Sequence, residues 1–103
     1  MSTLEQAGPG ARDDPVKILA NATNRSILNL LAQGPSYPRA IAQAIGVSEG
    51  DAQRKLHRLE RAGLVHGAWH HEGKTVKEYR LVASGIVLDF QEREMRVRLL
   101  PIR

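Results

Sequence analysis

The sequence predicts a mainly α-helical domain that carries a small β-hairpin, an α+β fold. Between Asp13 and Gly63, apolar residues recur at helical spacing in four segments, each bounded by a capping residue, Pro or Gly. After Gly63 the period changes to two, which is typical of strands. With 103 residues, 42% hydrophobic and 25% charged, the chain has the composition of one ordinary globular domain.

The first two predicted helices open at polar residues. Residues 13–15, Asp-Asp-Pro, supply an N-cap and a Pro for the first turn of a short helix that ends near Ala20. Thr23 is predicted to cap the second helix, whose apolar residues continue at helical spacing until Gly34. The first half of the domain is therefore predicted to be helical.

The third and fourth predicted helices follow each other closely. Pro38 starts a helix that stops at Gly46, and Ser48 caps the next one, with Asp51 in the position of a short-armed capping box. The fourth helix has an apolar stripe of Ala52, Leu56 and Leu59. Its opposite face is polar or basic and consists of Gln53, Arg54, His57, Arg58 and Arg61.

Residues 64–71 and 74–82 are predicted to form a β-hairpin around a turn at Glu72-Gly73. We expect Trp69 and Tyr79 to pack across its strands in the core, rather than to stack on bases. In the last segment, Ile86, Val87 and Phe90 recur at helical spacing and predict a C-terminal helix that reaches about residue 94. The alternation in residues 95–99 also allows an extended tail.

The net charge is concentrated in one part of the chain. The total is +4, and residues 54–80, with seven basic and three acidic residues, carry +4 alone. The absence of Cys excludes disulfides, thiolate metal sites and Cys nucleophiles. No apolar run approaches the roughly 20 residues of a membrane span. We therefore expect a cytoplasmic protein without membrane association.

A helix, a sharp turn at Gly46-Val47, a capped helix with a basic face and a basic hairpin are, in this order, typical of a winged helix-turn-helix. A helix fits the major groove of DNA, and its first residues can reach base edges. Lys74 and Lys77, near the hairpin tip, are placed to meet phosphates. The order of elements therefore predicts binding to double-stranded DNA.

Four segments resemble ArsR-type winged-helix transcriptional regulators of bacteria and archaea. Residues 20–31, ANATNRSILNLL, resemble the family's LADPTRLRILxLL, and residues 40–48, AIAQAIGVS, resemble DLAxxLGxS. Residues 56–65, LHRLERAGLV, are similar to LxxLxxAGLV, and residues 73–81 are similar to the wing and its return strand. The resemblance covers about residues 14–85.

The resemblance implies a sequence-specific regulator that binds duplex DNA as a homodimer, by family default a repressor. The expected base contacts are Ser48, Gln53, Arg54 and His57. The expected phosphate contacts are Lys55, Arg58, Arg61, Lys74 and Lys77. A dimer interface is expected at Leu19, Ile86, Val87 and Phe90. The chain is thus predicted to contain a loose arm (1–12), the DNA-binding domain (13–83) and a dimerisation helix or tail (84–103).

Neither a cofactor nor a metal is expected. Tyr37 and Arg39 stand where the family's metal sensors carry thiolates, and no His lies beyond His71. Adjacent His70 and His71 face opposite sides of a strand, and His66 lies roughly 13 Å from His70. We interpret the histidines as solvated wing residues or phosphate contacts.

Two alternatives to a sequence-specific regulator remain open at this point. One is a winged-helix protein-interaction module of a transcription complex, and the other is a nonspecific architectural DNA binder. An enzyme is not predicted, because the sequence has neither a Gly-rich phosphate loop nor an arrangement of residues that suggests a nucleophile.

Overall fold

The computed structural model describes residues 14–71, 73, 75–91, 93 and 95–102. Within these residues, four helices precede two β-hairpins. The helices are α1 (Pro15–Leu19), α2 (Ala22–Leu31), α3 (Pro38–Ile45) and α4 (Glu49–Arg61). The strands are β1 (Val65–His70), β2 (Val76–Leu81), β3 (Ala83–Asp89) and β4 (Arg96–Pro101). None of the described helices is long and apolar enough to cross a membrane.

Side-chain caps determine where three of the helices begin. The Asp14 carboxylate accepts a hydrogen bond from the Val16 N–H at 3.0 Å, and Ser48 Oγ accepts one from the Asp51 N–H at 3.1 Å. Both caps are as predicted. The prediction that Thr23 caps α2 is wrong, because Asn21 is the cap and its Oδ1 accepts from the Asn24 N–H at 3.1 Å.

A tight turn at Gly46 joins α3 to α4. Gly46 has φ 86° and ψ 34°, a left-handed conformation that glycine adopts without the steric cost of a Cβ. The N–H groups of Gly46 and Val47 both donate to the Ala42 carbonyl, at 2.8 and 3.1 Å. Ser48 follows at once as the cap of α4, which fixes the angle at which α4 leaves α3.

The core lies between the helices and the base of the first hairpin. Its largest fully buried side chains are Ile27, Ile41, Leu56, Leu59 and Val65. The predicted apolar stripe of α4 is confirmed, since Ala52 is fully buried together with the two leucines. One side of α4 is therefore fixed against the core, and its other side is left to solvent.

Strands β1 and β2 form the predicted antiparallel hairpin, in a register that runs from Val65↔Leu81 to His70↔Val76. Its base is attached to the loop before α3, because the Ser36 N–H donates to the Tyr79 carbonyl at 3.0 Å and the Tyr79 N–H donates to the Ser36 carbonyl at 2.8 Å. Tyr79 is buried, as predicted.

The prediction of a C-terminal helix after Ala83 is wrong. Strands β3 and β4 instead form a second antiparallel hairpin, in which Ile86 pairs with Leu99 and Leu88 with Val97. The consecutive β-branched residues Ile86 and Val87 favour a strand, and strand formation also depends on a partner about ten residues away that helical spacing does not reveal. Ile86 and Leu99 pack against the core at the base of this hairpin.

Candidate nucleic-acid interface

The solvent-facing side of α4 presents a continuous polar and basic surface. Gln53, Arg54, His57 and Arg58 are all exposed and lie between the buried positions at helical spacing. Ser48, predicted to contact bases, is exposed at the start of α4, where its Oγ caps the helix. These side chains therefore share the surface that a straight helix would present to a groove.

The Asp51 carboxylate gathers two basic side chains of this surface. Its Oδ1 accepts a hydrogen bond from Lys55 Nζ at 2.7 Å, and Arg54 Nη2 lies 3.5 Å from the same oxygen. The hydrogen bond from Lys55 holds the pKa of Asp51 below its ordinary value, against the opposing effect of desolvation. Instead of completing a capping box, the Asp51 side chain pairs with cations one turn along the helix.

Glu60, in the last turn of α4, ties this helix to the β1–β2 hairpin. Its Oε2 accepts a hydrogen bond from the Gly67 N–H at 3.0 Å, and its Oε1 accepts one from Lys77 Nζ at 3.4 Å. His66 Nδ1 lies 3.5 Å from Oε2. One carboxylate thus contacts both strands of the hairpin.

Lys77 is held between charge and aromatic surface. Its Nζ lies 5.7 Å from the centre of the Trp69 ring and 5.2 Å from that of Tyr79, within the range of cation–π attraction. Burial acts to lower the pKa of Lys77, but interactions with Tyr79 and the Glu60 carboxylate outweigh it and raise the pKa. This predicted phosphate contact therefore also braces the hairpin against α4.

Gly67 permits this packing because it has no side chain. It lies directly opposite Tyr79 in the register. A Cβ at Gly67 would overlap Cε of Lys77 and lie 2.8 Å from Cε1 of Tyr79. The close approach of both side chains to the β1 backbone therefore requires glycine at this position.

A concave surface of about 660 Å³ lies between α4 and the first hairpin. Six of the nine predicted DNA contacts line it: Gln53, Arg54, His57, Arg58, Arg61 and Lys77. Of the other three, Ser48 stands at the start of α4, Lys55 faces the opposite side of the helix, and Lys74 lies outside the described residues. The structure therefore brings most of the predicted contacts onto one surface.

Trp69 is the functional candidate that the sequence prediction placed wrongly. It is 59% exposed and lines the concave surface rather than the core. Trp69 and Tyr79 lie on the same face of the hairpin, but Trp69 is opposite Lys77, two pairs closer to the tip. Trp69 lies farther from the base of the hairpin than Tyr79 does, which explains why its ring is exposed whereas that of Tyr79 is buried. This difference could have been counted from the sequence.

A second cleft, of about 530 Å³, lies on the other side of α4. Its walls are formed by Asp14, Lys17, Ile18, Asn21 and Asn24 from α1 and the start of α2, and by Asp51, Arg54, Lys55 and Arg58 from α4. Arg54 and Arg58 line both the cleft and the concave surface. These two arginines lie on the line of α4 that divides the two surfaces, which we call its crest. The side of α4 toward the concave surface and the side toward the cleft are its two flanks.

The histidines pair with neighbouring side chains. His70 Nε2 lies 3.3 Å from Glu78 Oε1, and His71 Nδ1 lies 3.4 Å from Thr75 Oγ1. In the part of the chain that the structure describes, no three His, Cys, Asp or Glu side chains are grouped so as to hold a metal ion. His57, on the concave surface, is the one of the four histidines that lies on α4.

The residues predicted for a dimer interface lie on β3 and α1 rather than on two helices. Ile86 and Val87 alternate between the two faces of β3, and Phe90 follows the strand with 71% of its surface exposed. Leu19 and Ile86 line the same apolar groove of about 360 Å³ beside α2. The predicted set is therefore only partly contiguous, because Val87 faces away from Ile86.

Four helices, a tight turn before a basic fourth helix and a β-hairpin braced against it define a winged helix-turn-helix domain. The family model of bacterial regulatory proteins of the arsR family matches residues 21–66. Together with the structural similarities described next, this match shows that the chain belongs to the arsR family.

Two solved structures from Mycobacterium bovis are similar to this chain. The crystal structure of a "possible transcriptional regulatory protein" (fragment 1-100) is 39% identical, with a TM-score of 0.56, and the match covers 64% of this chain and 68% of that one. The solution NMR structure is of a homodimeric winged helix-turn-helix DNA-binding domain from a "possible ArsR-family transcriptional regulator". It has the same identity and TM-score, and the match covers 64% of this chain and 58% of that one. A search of curated proteins gave no significant match.

Proposed function

We propose that this regulator binds duplex DNA in a sequence-specific manner, with α4 in the major groove and the β1–β2 hairpin as its wing. The concave surface carries this proposal. It presents Arg54, Arg58, Arg61 and Lys77, and none of the described side chains that line it is acidic. A helix with its side chains is about 10–12 Å across, which matches a major groove about 12 Å wide.

The position of each residue on α4 supports a division of roles. Ser48, Gln53, Arg54 and His57 lie on the first half of α4 or its outer face, where side chains of a recognition helix reach base edges. Arginine suits guanine and glutamine suits adenine through paired hydrogen bonds. The phosphate contacts are Lys55, Arg58, Arg61, Lys74 and Lys77, which surround these residues in the sequence and supply affinity without sequence preference.

The test is selection of bound sequences from a random duplex pool, followed by anisotropy titrations of the selected duplex and a scrambled one. Arg54→Ala is expected to lose about 1–3 kcal/mol of discrimination between the two duplexes. Arg98→Ala removes one exposed positive charge from β4 that lines neither the concave surface nor the second cleft, and is expected to bind like the wild type. Enrichment of no motif would favour the architectural alternative, and failure to bind any duplex at low salt would favour the protein-interaction module.

The protein is proposed to act as a homodimer whose interface is the exposed outer part of the apolar face of the β3–β4 hairpin, at Leu88 and Phe90. Because side chains alternate along a strand, Ile86, Leu88, Val97 and Leu99 share one face of this hairpin. Leu88 is 41% exposed and Phe90, beyond it, 71%. A two-stranded hairpin is marginally stable unless its apolar face is covered, and a related domain, 39% identical, is homodimeric.

Phe90→Asp is expected to convert the dimer to a monomer and to abolish tight operator binding, because a monomer presents one recognition helix instead of two. Arg98→Asp, on the opposite face of the hairpin, is the control and is expected to remain dimeric. Sedimentation equilibrium measures both. A Phe90→Asp protein that remains dimeric would show that the interface lies elsewhere.

Repression is the proposed direction of regulation, exerted in the cytoplasm at the nucleoid. The family resemblance supports it, since a dimer bound at a promoter occupies DNA that the polymerase must also contact. In vitro transcription from a promoter that contains the selected sequence is expected to fall as protein is added. An increase in transcript would identify an activator.

A further inference from the structure

The second cleft is positively charged although it contains two carboxylates. Four of its lining residues are basic: Lys17, Arg54, Lys55 and Arg58. Both carboxylates are already engaged, since Asp14 caps α1 and Asp51 pairs with Lys55 and Arg54. Lys17 and Arg58 pair with no carboxylate among the described residues. The cleft therefore has unsatisfied positive charge on both walls.

Helix geometry places this cleft on the flank of α4 that faces away from the wing. At 100° per residue, Gln53 and His57 lie on the wing side of the crest, whereas Asp51 and Lys55 lie on the other side. Because α4 with its side chains is about as wide as the major groove, a helix seated in that groove has one DNA backbone beside each flank. Under the proposed function, the concave surface therefore meets one strand and the cleft faces the other.

We propose that the cleft between α1 and α4 binds backbone phosphates of the DNA strand opposite the wing, with Lys17 as the contact supplied from outside α4. This inference rests on the proposed function and adds a second phosphate-binding wall to it. Lys17 is exposed in the last turn of α1, across the cleft from Lys55 and Arg58. Phosphate oxygens between these walls would meet three cations at once.

The sequence gives no indication of this role for Lys17. It lies in the slightly acidic first half of the chain, far in sequence from the basic window 54–80. Only the packing of α1 beside α4 brings Lys17 to the same cleft as Lys55. The footprint of the regulator on DNA is therefore wider than the wing and α4 alone.

The experiment measures the salt dependence of duplex binding for wild type, Lys17→Gln and the control Arg98→Gln. Each phosphate contact contributes about 0.9 to the slope of log affinity against log salt. Because the proposed homodimer carries two copies of Lys17, Lys17→Gln is expected to reduce that slope by about 1.8 on both the selected and a scrambled duplex, without change in sequence preference. Arg98→Gln is expected to keep the wild-type slope. Thermal unfolding checks that all three proteins are folded.

A free phosphorylated ligand would be recognised by the same cations, and a second measurement distinguishes such a ligand from the DNA backbone. Unfolding temperatures are compared in inorganic phosphate and in chloride at equal ionic strength. If the DNA backbone is the ligand, phosphate is expected to shift wild type and Lys17→Gln equally. The opposite outcome is that phosphate raises the unfolding temperature of wild type but not that of Lys17→Gln, while the two proteins have the same salt slope. This outcome would assign the cleft to a small phosphorylated molecule and overturn the proposal.

Failure of this inference is distinguishable from failure of the proposed function. A wild-type protein that binds duplex DNA, with a Lys17→Gln slope equal to its own, would refute the second phosphate-binding wall alone. A wild-type protein that binds no duplex at low salt would refute the proposed function and this inference together.

Discussion

Gly67→Ala is expected to loosen the wing, because the added methyl group meets side chains that cannot all move. The overlap with Cε of Lys77 can be relieved by rotation of that flexible chain. Cε1 of Tyr79, 2.8 Å from the new Cβ, belongs to a buried ring. It would have to retreat by about 0.7 Å to reach a normal carbon–carbon separation of roughly 3.5 Å. That movement pulls on the Ser36–Tyr79 bridge.

Overpacking of this kind costs about 1–3 kcal/mol. For a domain of this size, each 1 kcal/mol shifts the melting temperature by about 4–8 °C, so a fall of at least about 4 °C is expected. Duplex affinity is expected to fall as well, because Trp69 and Lys77 share the displaced hairpin. Differential scanning calorimetry and anisotropy titration measure the two effects.

Gly85→Ala is the matched control, because it also adds a methyl group to a strand. The nearest atom to its Cβ would be Leu100 Cδ1 at 3.6 Å, an ordinary contact. With no clash, restriction of the unfolded chain should stabilise this variant by about 0.4–1 kcal/mol. Equal melting temperatures for the two variants would refute the assignment of Gly67 as the position that allows Tyr79 and Lys77 to pack.

Three further predictions follow from side-chain environments. Trp69 is the single tryptophan of the chain, so duplex binding should move its emission to shorter wavelength; an unchanged spectrum would contradict its place at the interface. Asp51→Asn should tighten duplex binding in anisotropy titrations by releasing Arg54 and Lys55 from their carboxylate. Because the Asp51 pKa is lowered on folding, its stabilising contribution is complete above about pH 3.8 and is lost as the pH falls through the lower folded-state pKa. The stability difference between wild type and Asp51→Asn, measured by urea unfolding from pH 5 to 2, should therefore shrink at the acid end.

The helices and the first hairpin could be predicted because their signals are local. Asp14 and Ser48 are caps that act within three residues, and Gly46 ends α3 by its own conformational freedom. The winged helix-turn-helix order followed from these boundaries and from the change of period after Gly63. Asn21 was missed because it competes with Thr23, two residues away, for the same capping role.

The last segment could not be predicted from local spacing. Ile86, Val87 and Phe90 fit one side of a helix, but Ile86, Leu88 and Phe90 also alternate as in a strand. The choice depends on β4, whose Val97 and Leu99 lie opposite Leu88 and Ile86. A pairing of this kind links distant residues, and single-segment periodicity carries no information about it.

The candidate site was predictable as a set of residues but not as an arrangement. Charge patterning placed Arg54, Arg58 and Arg61 on one face, as the structure shows. That Lys55 faces α1, and that Lys77 is engaged by Glu60, depends on which elements pack beside α4. Tertiary packing therefore decides which charges are available to a ligand.

The Glu60 contacts to Gly67 and Lys77 tie α4 to the β1–β2 hairpin. The distance between the side chains that we propose to read bases and the contacted part of the hairpin is then set by the protein before any DNA arrives. A duplex that binds must present a major groove and a neighbouring backbone at that separation, or bend until it does. Its affinity for a duplex is consequently expected to depend on the local shape and stiffness of the DNA as well as on the base sequence.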